Sequence, residues 1–250
     1  SVRGMSLNIE STYDRDKLEA FLKKIKKEIE TEPKNAQITY ENGKIEITRS
    51  QNGVKLDVAT NLEIAENYIN QRKFGIIELV VEETVPHIPY DKIKEIDSKL
   101  SSFSTRFNEK ERNRTDNIKL AAKKLDNIIL MPGESFSMNK TLGPRTPENG
   151  FKTAPIMLKS ELVLGIGGGI CQVSSTLYNA VLLAGLDVIE RTHHSAPLSY
   201  ISAGRDATVN EDSIDFRFVN SLDYPICIQA DVKGNVLTVS VLGRKPKDGR

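Results

Sequence analysis

The sequence predicts an α+β fold in which a small N-terminal α+β domain precedes a mixed domain of helices and antiparallel sheet. Three observations lead to this prediction. Some segments place apolar residues at steps of three and four, other segments alternate apolar and polar residues, and turn-forming Asn-Gly or Gly-Asn pairs separate several of the alternating runs. A chain of 250 residues also has room for about two domains.

The N-terminal domain is predicted to contain a helix, a hairpin, a second helix and a strand, over residues 14–30, 36–48, 61–70 and 76–81. The first helix places Leu18, Leu22 and Ile25 on one face, behind the candidate caps Ser11 and Thr12. In the hairpin, an Asn-Gly pair lies between two alternating runs, which is the strongest short signal for this motif.

We place the domain boundary near residue 97, after a proline-containing and charged connector. The domains are therefore 1–97 and 98–243, followed by a polar linker over 244–250. The second domain is predicted to have helices over 114–125 and 170–184 and strands over 186–192, 214–219, 226–232 and 236–242. Between its helices, residues 132–155 hold three glycines and four prolines, which is typical of functional loops.

The composition excludes some functional classes. Lys plus Arg is 35 and Asp plus Glu is 34, so a net charge of +1 gives little attraction to nucleic acids or anionic lipids. The longest apolar stretch, Ala180–Leu186, is far shorter than the ~18 residues of a membrane span. We expect no membrane contact within this segment. The chain begins with Ser1 and has no basic-then-apolar leader, so we expect any targeting signal or anchor to lie upstream.

Cys171 is the residue best placed for chemistry. It follows three consecutive glycines and opens a helical pattern that ends at Gly185. Unpaired N–H groups and the macrodipole at a helix N-terminus favour a thiolate, a recurring setting for nucleophilic cysteines. The alternative is a small core residue beside a tight turn. Cys227 is the other cysteine, so a disulfide between the two also stays open.

His194 and Asp206 complete a candidate catalytic set with this cysteine. His194 follows the strand after the helix, and Asp206 is placed to orient an imidazole. The same residues with His193 are also zinc-ligand types, although adjacent residues of a strand point to opposite faces. Glycan cleavage would instead use a carboxylic acid, for which Glu134 and Asp206 are candidates. These chemistries stay open on sequence alone.

From Phe103 to Gly243 the chain closely resembles the VanW family. The resemblance rests on several blocks in order: Asn113-Arg-Thr-Asp-Asn117, Pro132-Gly-Glu-Ser-Phe-Ser-Met-Asn139, Gly143-Pro-Arg145, Gly167-Gly-Gly-Ile-Cys-Gln-Val-Ser-Ser-Thr-Leu-Tyr-Asn-Ala180, Glu190-Arg191, His194-Ser195 and Gly204-Arg-Asp-Ala207. The N-terminal part is similar to the peptidoglycan-binding domain that often precedes VanW domains, through its hairpin and Gly53-Val-Lys-Leu-Asp57.

This resemblance implies a vancomycin-resistance-associated, extracytoplasmic protein of the cell wall or cell surface of a Gram-positive-type bacterium, secreted or anchored. It implies peptidoglycan or a related wall polymer as the partner, and it implies no particular reaction. We expect an enzyme that cleaves or modifies peptidoglycan, with its site in the VanW domain. The alternative is a non-catalytic peptidoglycan-binding or assembly module.

We expect the catalytic residues among Cys171, His194, Asp206 and Glu134. In a thiol mechanism Cys171 attacks a stem-peptide carbonyl, His194 is the base, and Gln172 or a local N–H stabilises the oxyanion. In a glycan mechanism Glu134 or Asp206 is the acid. The expected substrate-binding residues are Arg114, Asn117, Ser137, Asn139, Gln172, Ser174, Tyr178 and Ser195. We expect neither a cofactor nor a metal.

Overall fold

The computed structural model describes residues 12–41, 43–73, 75–158, 161–211 and 213–245. Ser11, Asn42 in the predicted hairpin turn, and the last five residues of the predicted linker lie outside this part of the chain. The chain forms two compact units. The described residues of Ser1–Asn35 belong to the first unit with Ser50–Pro89, and Ala36–Arg49 belong to the second with the described residues from Tyr90 onward.

The first unit contains helices α1 (Arg15–Ile29) and α2 (Val58–Asn70), as the periodicity predicts. The caps are aspartates: Asp14 accepts a hydrogen bond from the Lys17 N–H, and Asp57 accepts hydrogen bonds at the start of α2. Helix α1 begins after Asp14, whose carboxylate accepts a hydrogen bond from the N–H three residues later. Asp14 is therefore the cap, instead of Ser11 or Thr12.

The expected strand over 76–81 is wrong in position. Strand pairing in the first unit joins Gly53–Leu56 to Val81–Thr84, strands β3 and β4 below. Before Val81 the backbone bonds to a side chain: the N–H of Val80 donates to Asn61 Oδ1 at 2.8 Å, and Asn61 Nδ2 donates to the Val80 carbonyl at 2.7 Å. The buried amide thus takes the place of a partner strand, a contact that apolar alternation does not reveal.

The second unit begins with the hairpin of β1 (Gln37–Glu41) and β2 (Lys44–Thr48), which the sequence analysis assigned to the N-terminal domain. Its other elements are α3 (Tyr90–Ile93), β5 (Ser98–Arg106), α4 (Arg112–Leu125), β6 (Ile128–Leu130), β7 (Ser135–Ser137), α5 (Met138–Leu142), β8 (Thr153–Leu158), β9 (Glu161–Ile166), α6 (Ile170–Leu183), β10 (Asp187–Glu190), β11 (Arg217–Val219), β12 (Ile226–Lys233) and β13 (Val236–Gly243).

An antiparallel sheet with the strand order β5-β13-β12-β6 forms the base of this unit, and helices α4 and α6 pack on it. A second sheet has the order β10-β11-β7, and β8 pairs with β9 as a hairpin. The α+β prediction is confirmed, and so are the strands over 226–232 and 236–242.

No strand was predicted over β5, which begins directly after the expected domain boundary near residue 97. It is a strand because its buried hydroxyl groups have partners on helix α6. The hydroxyl of Ser101 donates to the Ala180 carbonyl at 2.6 Å, and Thr105 and Thr176 share a hydrogen bond of 2.8 Å. Polar side chains can be buried at low cost when they are hydrogen-bonded in this way.

Helix α6 is buried over most of its surface, including its polar residues. Ser175, Thr176 and Asn179 each donate to a carbonyl four residues earlier, so the polar groups are satisfied within the helix. In the part of the chain that the structure describes, none of the helices has the length and apolar character needed to cross a bilayer.

The glycine turn before α6 fixes where this helix begins. Gly167 and Gly169 have φ values of +85° and +107°, a backbone conformation that other residues rarely adopt. Gly168 needs space instead, because a Cβ there would lie 2.5 Å from the Pro155 carbonyl oxygen and 2.9 Å from Ala154 Cβ. The turn therefore packs directly on strand β8.

We predict that Gly168→Ala lowers the free energy of unfolding by about 1–3 kcal/mol, because the methyl group would collide with backbone atoms of β8. Gly165→Ala is the matched control, since its Cβ would meet only the flexible end of Ile156. Urea unfolding followed by circular dichroism measures both. An equal loss in the two variants would contradict the close-packing explanation.

Candidate functional site

A cleft of about 1240 Å³ in the second unit opens above the start of helix α6. Its walls come from the glycine turn, the end of β5, the β8–β9 hairpin, and the segments around residues 192–200 and 208–214. Cys171, His194 and Ser195 line it, as do Arg114 and Gln172. Five of the sequence-predicted site residues therefore meet at one cavity.

Cys171 lies in the first turn of α6, as predicted from the helical pattern. Its Sγ donates to the Val209 carbonyl at 3.5 Å and lies 3.7 Å from the Thr208 hydroxyl. The thiol is free, as is the buried thiol of Cys227, so no disulfide joins them.

His194 and Asp206 form the second part of the site. His194 Nδ1 lies 2.6 Å from Asp206 Oδ2, and the backbone N–H of His194 donates to the same oxygen at 2.6 Å. The side chains are 6% and 8% exposed. Since Asp206 engages Nδ1, Nε2 is the ring nitrogen that remains available to the thiol of Cys171, and the imidazole lies close enough to this thiol to shift its pKa.

The pKa values follow from these contacts. Burial of the Cys171 thiol raises its pKa, but its interactions with His194, the Val209 backbone and Thr208 together outweigh burial, so the thiol pKa is lowered. Burial of His194 lowers the imidazole pKa. The interactions with Cys171 and Asp206 raise it by more, so the imidazole pKa is raised overall. The pKa of Asp206 is lowered, because hydrogen bonds from His194 exceed the effect of burial. Both shifts act in the direction of a thiolate beside an imidazolium.

Helix α6 also holds the segment that contains Asp206. The Ala207 N–H donates to Ser175 Oγ at 2.9 Å, and Asn179 Nδ2 donates to the Arg205 carbonyl at 2.7 Å. Arg191 supports the segment from the other side, donating through Nε to the Asp206 carbonyl at 2.7 Å. Cys171 and the segment that holds the Asp206 carboxylate are thus both fixed by helix α6.

Gln172 has a different role from the one the sequence suggested. The side chain is 1% exposed, and its Nε2 donates to Thr105 Oγ1 at 3.0 Å and to the Arg106 carbonyl at 2.9 Å. Its Oε1 accepts a hydrogen bond of 2.7 Å from Arg114 Nη2. The amide donors are therefore occupied, and Gln172 positions Arg114 instead of presenting an N–H to an oxyanion.

Glu134 lies outside the lining of the cleft. Its carboxylate accepts a hydrogen bond from the Met131 N–H at 2.8 Å, and its carbonyl accepts one from the Asn220 N–H at 2.9 Å. It thus stabilises the turn that leads into β7. The structure does not bring it together with Cys171 and His194.

Five other predicted binding residues also lie away from the cleft lining: Asn117, Ser137, Asn139, Ser174 and Tyr178. Three of them organise loops. Asn117 donates to the Lys152 and Gly168 carbonyls at 2.8 and 2.9 Å, Ser137 donates to Asp215 at 2.5 Å, and Asn139 donates to the Asn210 carbonyl at 2.7 Å.

The last two, Ser174 and Tyr178, lie on helix α6. Ser174 is fully buried in the interior. The ring of Tyr178 lies 5.1 Å from the Arg191 guanidinium. Both residues therefore pack within the fold.

Three residues at the site were missed by the sequence analysis as functional candidates. Thr208 contacts the thiol, Arg191 supports Asp206, and Tyr200 lies in the cleft wall with the Arg114 guanidinium 5.9 Å from its ring centre. Arg191 belongs to the Glu190-Arg191 block and was noted only as part of it. Tyr200 and Thr208 lie in irregular segments whose partners are distant in sequence, so no local pattern indicates them.

Metal-ligand residues do not cluster in the described segments: no group of three or more His, Cys, Asp or Glu side chains is arranged to hold an ion there. Instead, His194 contacts Asp206 and affects the pKa of Cys171. His193 lines the same cleft, while only its neighbour His194 contacts Asp206.

Two regions of the chain match known family models. Residues 113–242 match the family model described as "VanW like protein", and residues 1–78 match the one described as "Putative peptidoglycan binding domain". No solved structure matches the chain.

Two curated relatives are similar to this chain. The "Uncharacterized protein YoaR" of Bacillus subtilis is 37% identical over 229 residues, which cover 91% of this chain and 75% of that protein. The "Vancomycin B-type resistance protein VanW" of Enterococcus faecalis is 30% identical over 162 residues, 62% of this chain and 58% of that protein.

The two matched regions occur in the order that the sequence motifs indicated, and the first of them associates the chain with the cell wall. The VanW match spans more than half of the chain and contains Cys171, His194 and Asp206. The chain therefore belongs to the VanW-like family, with a peptidoglycan-binding domain preceding the VanW region.

Proposed function

We propose that this protein is a cysteine-dependent enzyme that cleaves or exchanges peptide bonds of peptidoglycan outside the cytoplasm. The observation that carries the proposal is the group of Cys171, His194 and Asp206, in which Asp206 contacts the His194 imidazole and both Cys171 and His194 line an open cleft. A lowered thiol pKa, a hydrogen-bonded imidazole and a carboxylate on the opposite ring nitrogen are the parts of a nucleophilic cysteine site.

The chemistry of such a site is acyl transfer. The Cys171 thiolate attacks a stem-peptide carbonyl carbon and forms the C–S bond, and the carbonyl π electrons move to oxygen. When the tetrahedral intermediate collapses, the C–N bond breaks and the leaving amine takes a proton from His194. Water or an amine then attacks the thioester, gives its proton to His194, and releases the thiolate. Asp206 holds the imidazole in position and stabilises its charged form.

The substrate class comes from the first matched region and from the printed name of one relative. A peptidoglycan-binding domain adjacent to the catalytic region would raise the local concentration of wall polymer. The Enterococcus faecalis relative is named as a vancomycin resistance protein. The same considerations support a secreted or surface-exposed protein of a Gram-positive-type bacterium.

The glycan mechanism has less support from the geometry. Both of its candidate acids are already hydrogen-bonded, Glu134 to the Met131 N–H and Asp206 to His194. The pKa of Asp206 is lowered, whereas a general acid for glycoside cleavage needs a raised pKa. Peptide chemistry is therefore the better match to this site.

We predict that Cys171→Ala abolishes release or exchange of stem peptides from intact sacculi, because the nucleophile is lost. Asp206→Asn should lower the rate by at least about 100-fold, since the imidazole loses its orienting carboxylate. Mass spectrometry of the digested sacculi measures both effects.

Glu134→Gln is the control for this experiment, because Glu134 lies outside the cleft lining and should leave peptide chemistry intact. Anhydro-sugar or new reducing-end products that persist in Cys171→Ala and disappear in Glu134→Gln or Asp206→Asn would overturn the proposal in favour of glycan cleavage. Retained sacculus binding with no product would favour a binding module.

We also predict that iodoacetamide alkylates Cys171 at pH values where an ordinary thiol is mostly protonated. The lowered pKa keeps the thiolate populated there, and His194→Ala should move the half-maximal alkylation rate to higher pH. Cys227 is the internal control, because burial raises its pKa to about 12. Peptide mapping against pH checks this. A pH profile unchanged by His194→Ala would show that the imidazole does not activate the thiol.

A further inference from the structure

Arg114 is a cationic residue that packs against the glycine turn before helix α6. Its side chain packs over the glycine turn, because a Cβ at Gly169 would lie 3.1 Å from both Arg114 Cγ and the Arg114 carbonyl oxygen. Gly169 is two residues before Cys171. The guanidinium therefore lies along the same wall as the thiol, and both residues line the cleft.

The guanidinium is held in one orientation by three groups. Gln172 Oε1 accepts from Nη2 at 2.7 Å, the Tyr200 ring centre lies 5.9 Å away, and Glu111 Oε2 lies 3.7 Å from Nε. Gln172 is itself fixed by two further hydrogen bonds to β5. A cation oriented before its ligand arrives loses less conformational entropy on binding.

This cation also has unused hydrogen-bonding capacity. Arg114 is only 15% exposed, yet a guanidinium has five N–H donors. Within the described residues its one hydrogen bond of ordinary length is the bond to Gln172, a neutral acceptor, since 3.7 Å to Glu111 is too long for one. The ion pair with Glu111, whose side chain is 44% exposed, compensates the charge only at this distance and leaves most of the guanidinium donors without a hydrogen bond to the residues that the structure describes. A largely buried cation with such free donors favours an anionic ligand.

We infer that Arg114 binds a carboxylate of the stem-peptide substrate and thereby selects peptides that carry it, with Gln172 as the residue that positions the guanidinium. This inference rests on the proposed function and names the part of the substrate that the site reads. A carboxylate matches the fork of guanidinium donors in a bidentate arrangement, which uncharged sugar hydroxyls do not. Stem peptides present several carboxylates, and amidation removes them one at a time.

The test measures binding to the inactive Cys171→Ala variant, so that turnover is not needed. Synthetic stem peptides with all carboxylates free are compared with peptides in which one carboxylate at a time is amidated, by titration calorimetry. At least one amidation should weaken binding by about tenfold or more, the usual size of a hydrogen-bonded charge contact. Arg114→Gln added to Cys171→Ala should bind free and amidated peptides equally.

Arg112→Gln, also added to Cys171→Ala, is the matched control, because Arg112 lies exposed on the same helix and outside the cleft lining. Arg112→Gln removes the same positive charge as Arg114→Gln, but it should keep the full preference for the free carboxylate. Arg114→Lys keeps the charge without the fork and should keep only part of the preference. A normal circular dichroism spectrum for each variant shows that folding is not the cause.

Two results would overturn the inference: equal binding of free and amidated peptides to the Cys171→Ala parent, or a preference that survives in Arg114→Gln. Absence of binding to every stem peptide would overturn it as well. Failure of the proposed reaction gives a different result. In that case the chain with Cys171 intact releases no peptide, while the Cys171→Ala parent still binds the free-carboxylate peptide more tightly than the amidated one.

Discussion

The close packing of the glycine turn against strand β8 and helix α4 determines where helix α6 begins, and the site is built around that point. Gly168 leaves no room for a Cβ beside the Pro155 carbonyl, and Asn117 donates to the Gly168 carbonyl. Because both contacts involve the backbone, the turn cannot shift without losing buried hydrogen bonds. Cys171 is therefore presented at the cleft floor by a rigid element, as precise nucleophilic chemistry requires.

Buried polar side chains of helix α6 hold the other parts of the site in place through hydrogen bonds. Ser175 and Asn179 bond to the chain on either side of Asp206, and Gln172 bonds to β5 and to Arg114. A buried polar network that is satisfied in this way specifies one arrangement of its members. Helix α6 thus carries Cys171 on its first turn and, through its buried amides and hydroxyls, holds both the segment that contains Asp206 and the guanidinium of Arg114.

Parts of this arrangement were predictable because they depend on neighbours in sequence. The helices, the last two strands and the place of Cys171 at a helix N-terminus follow from local periodicity and glycine positions. Strand β5 and the strand position near Val81 were not predicted, because hydroxyl and amide contacts to distant residues decide them. For the same reason, residue type could not separate Arg114, which lines the cleft, from Asn117 or Ser174, which are buried.

The sequence by itself determined the fold class, the family, and a thiol at a helix start followed by a histidine and an acid. Only the tertiary structure decided which acid meets the histidine: Asp206 lies 2.6 Å from His194, whereas Glu134 is engaged in a turn elsewhere. It also decided that Gln172 hydrogen-bonds the Arg114 guanidinium and that the Tyr200 ring lies against this group. The physical reason is the distance along the chain over which each kind of interaction acts. Turn and helix preferences act over a few residues, while pKa values and hydrogen-bond partners depend on groups that only folding brings together.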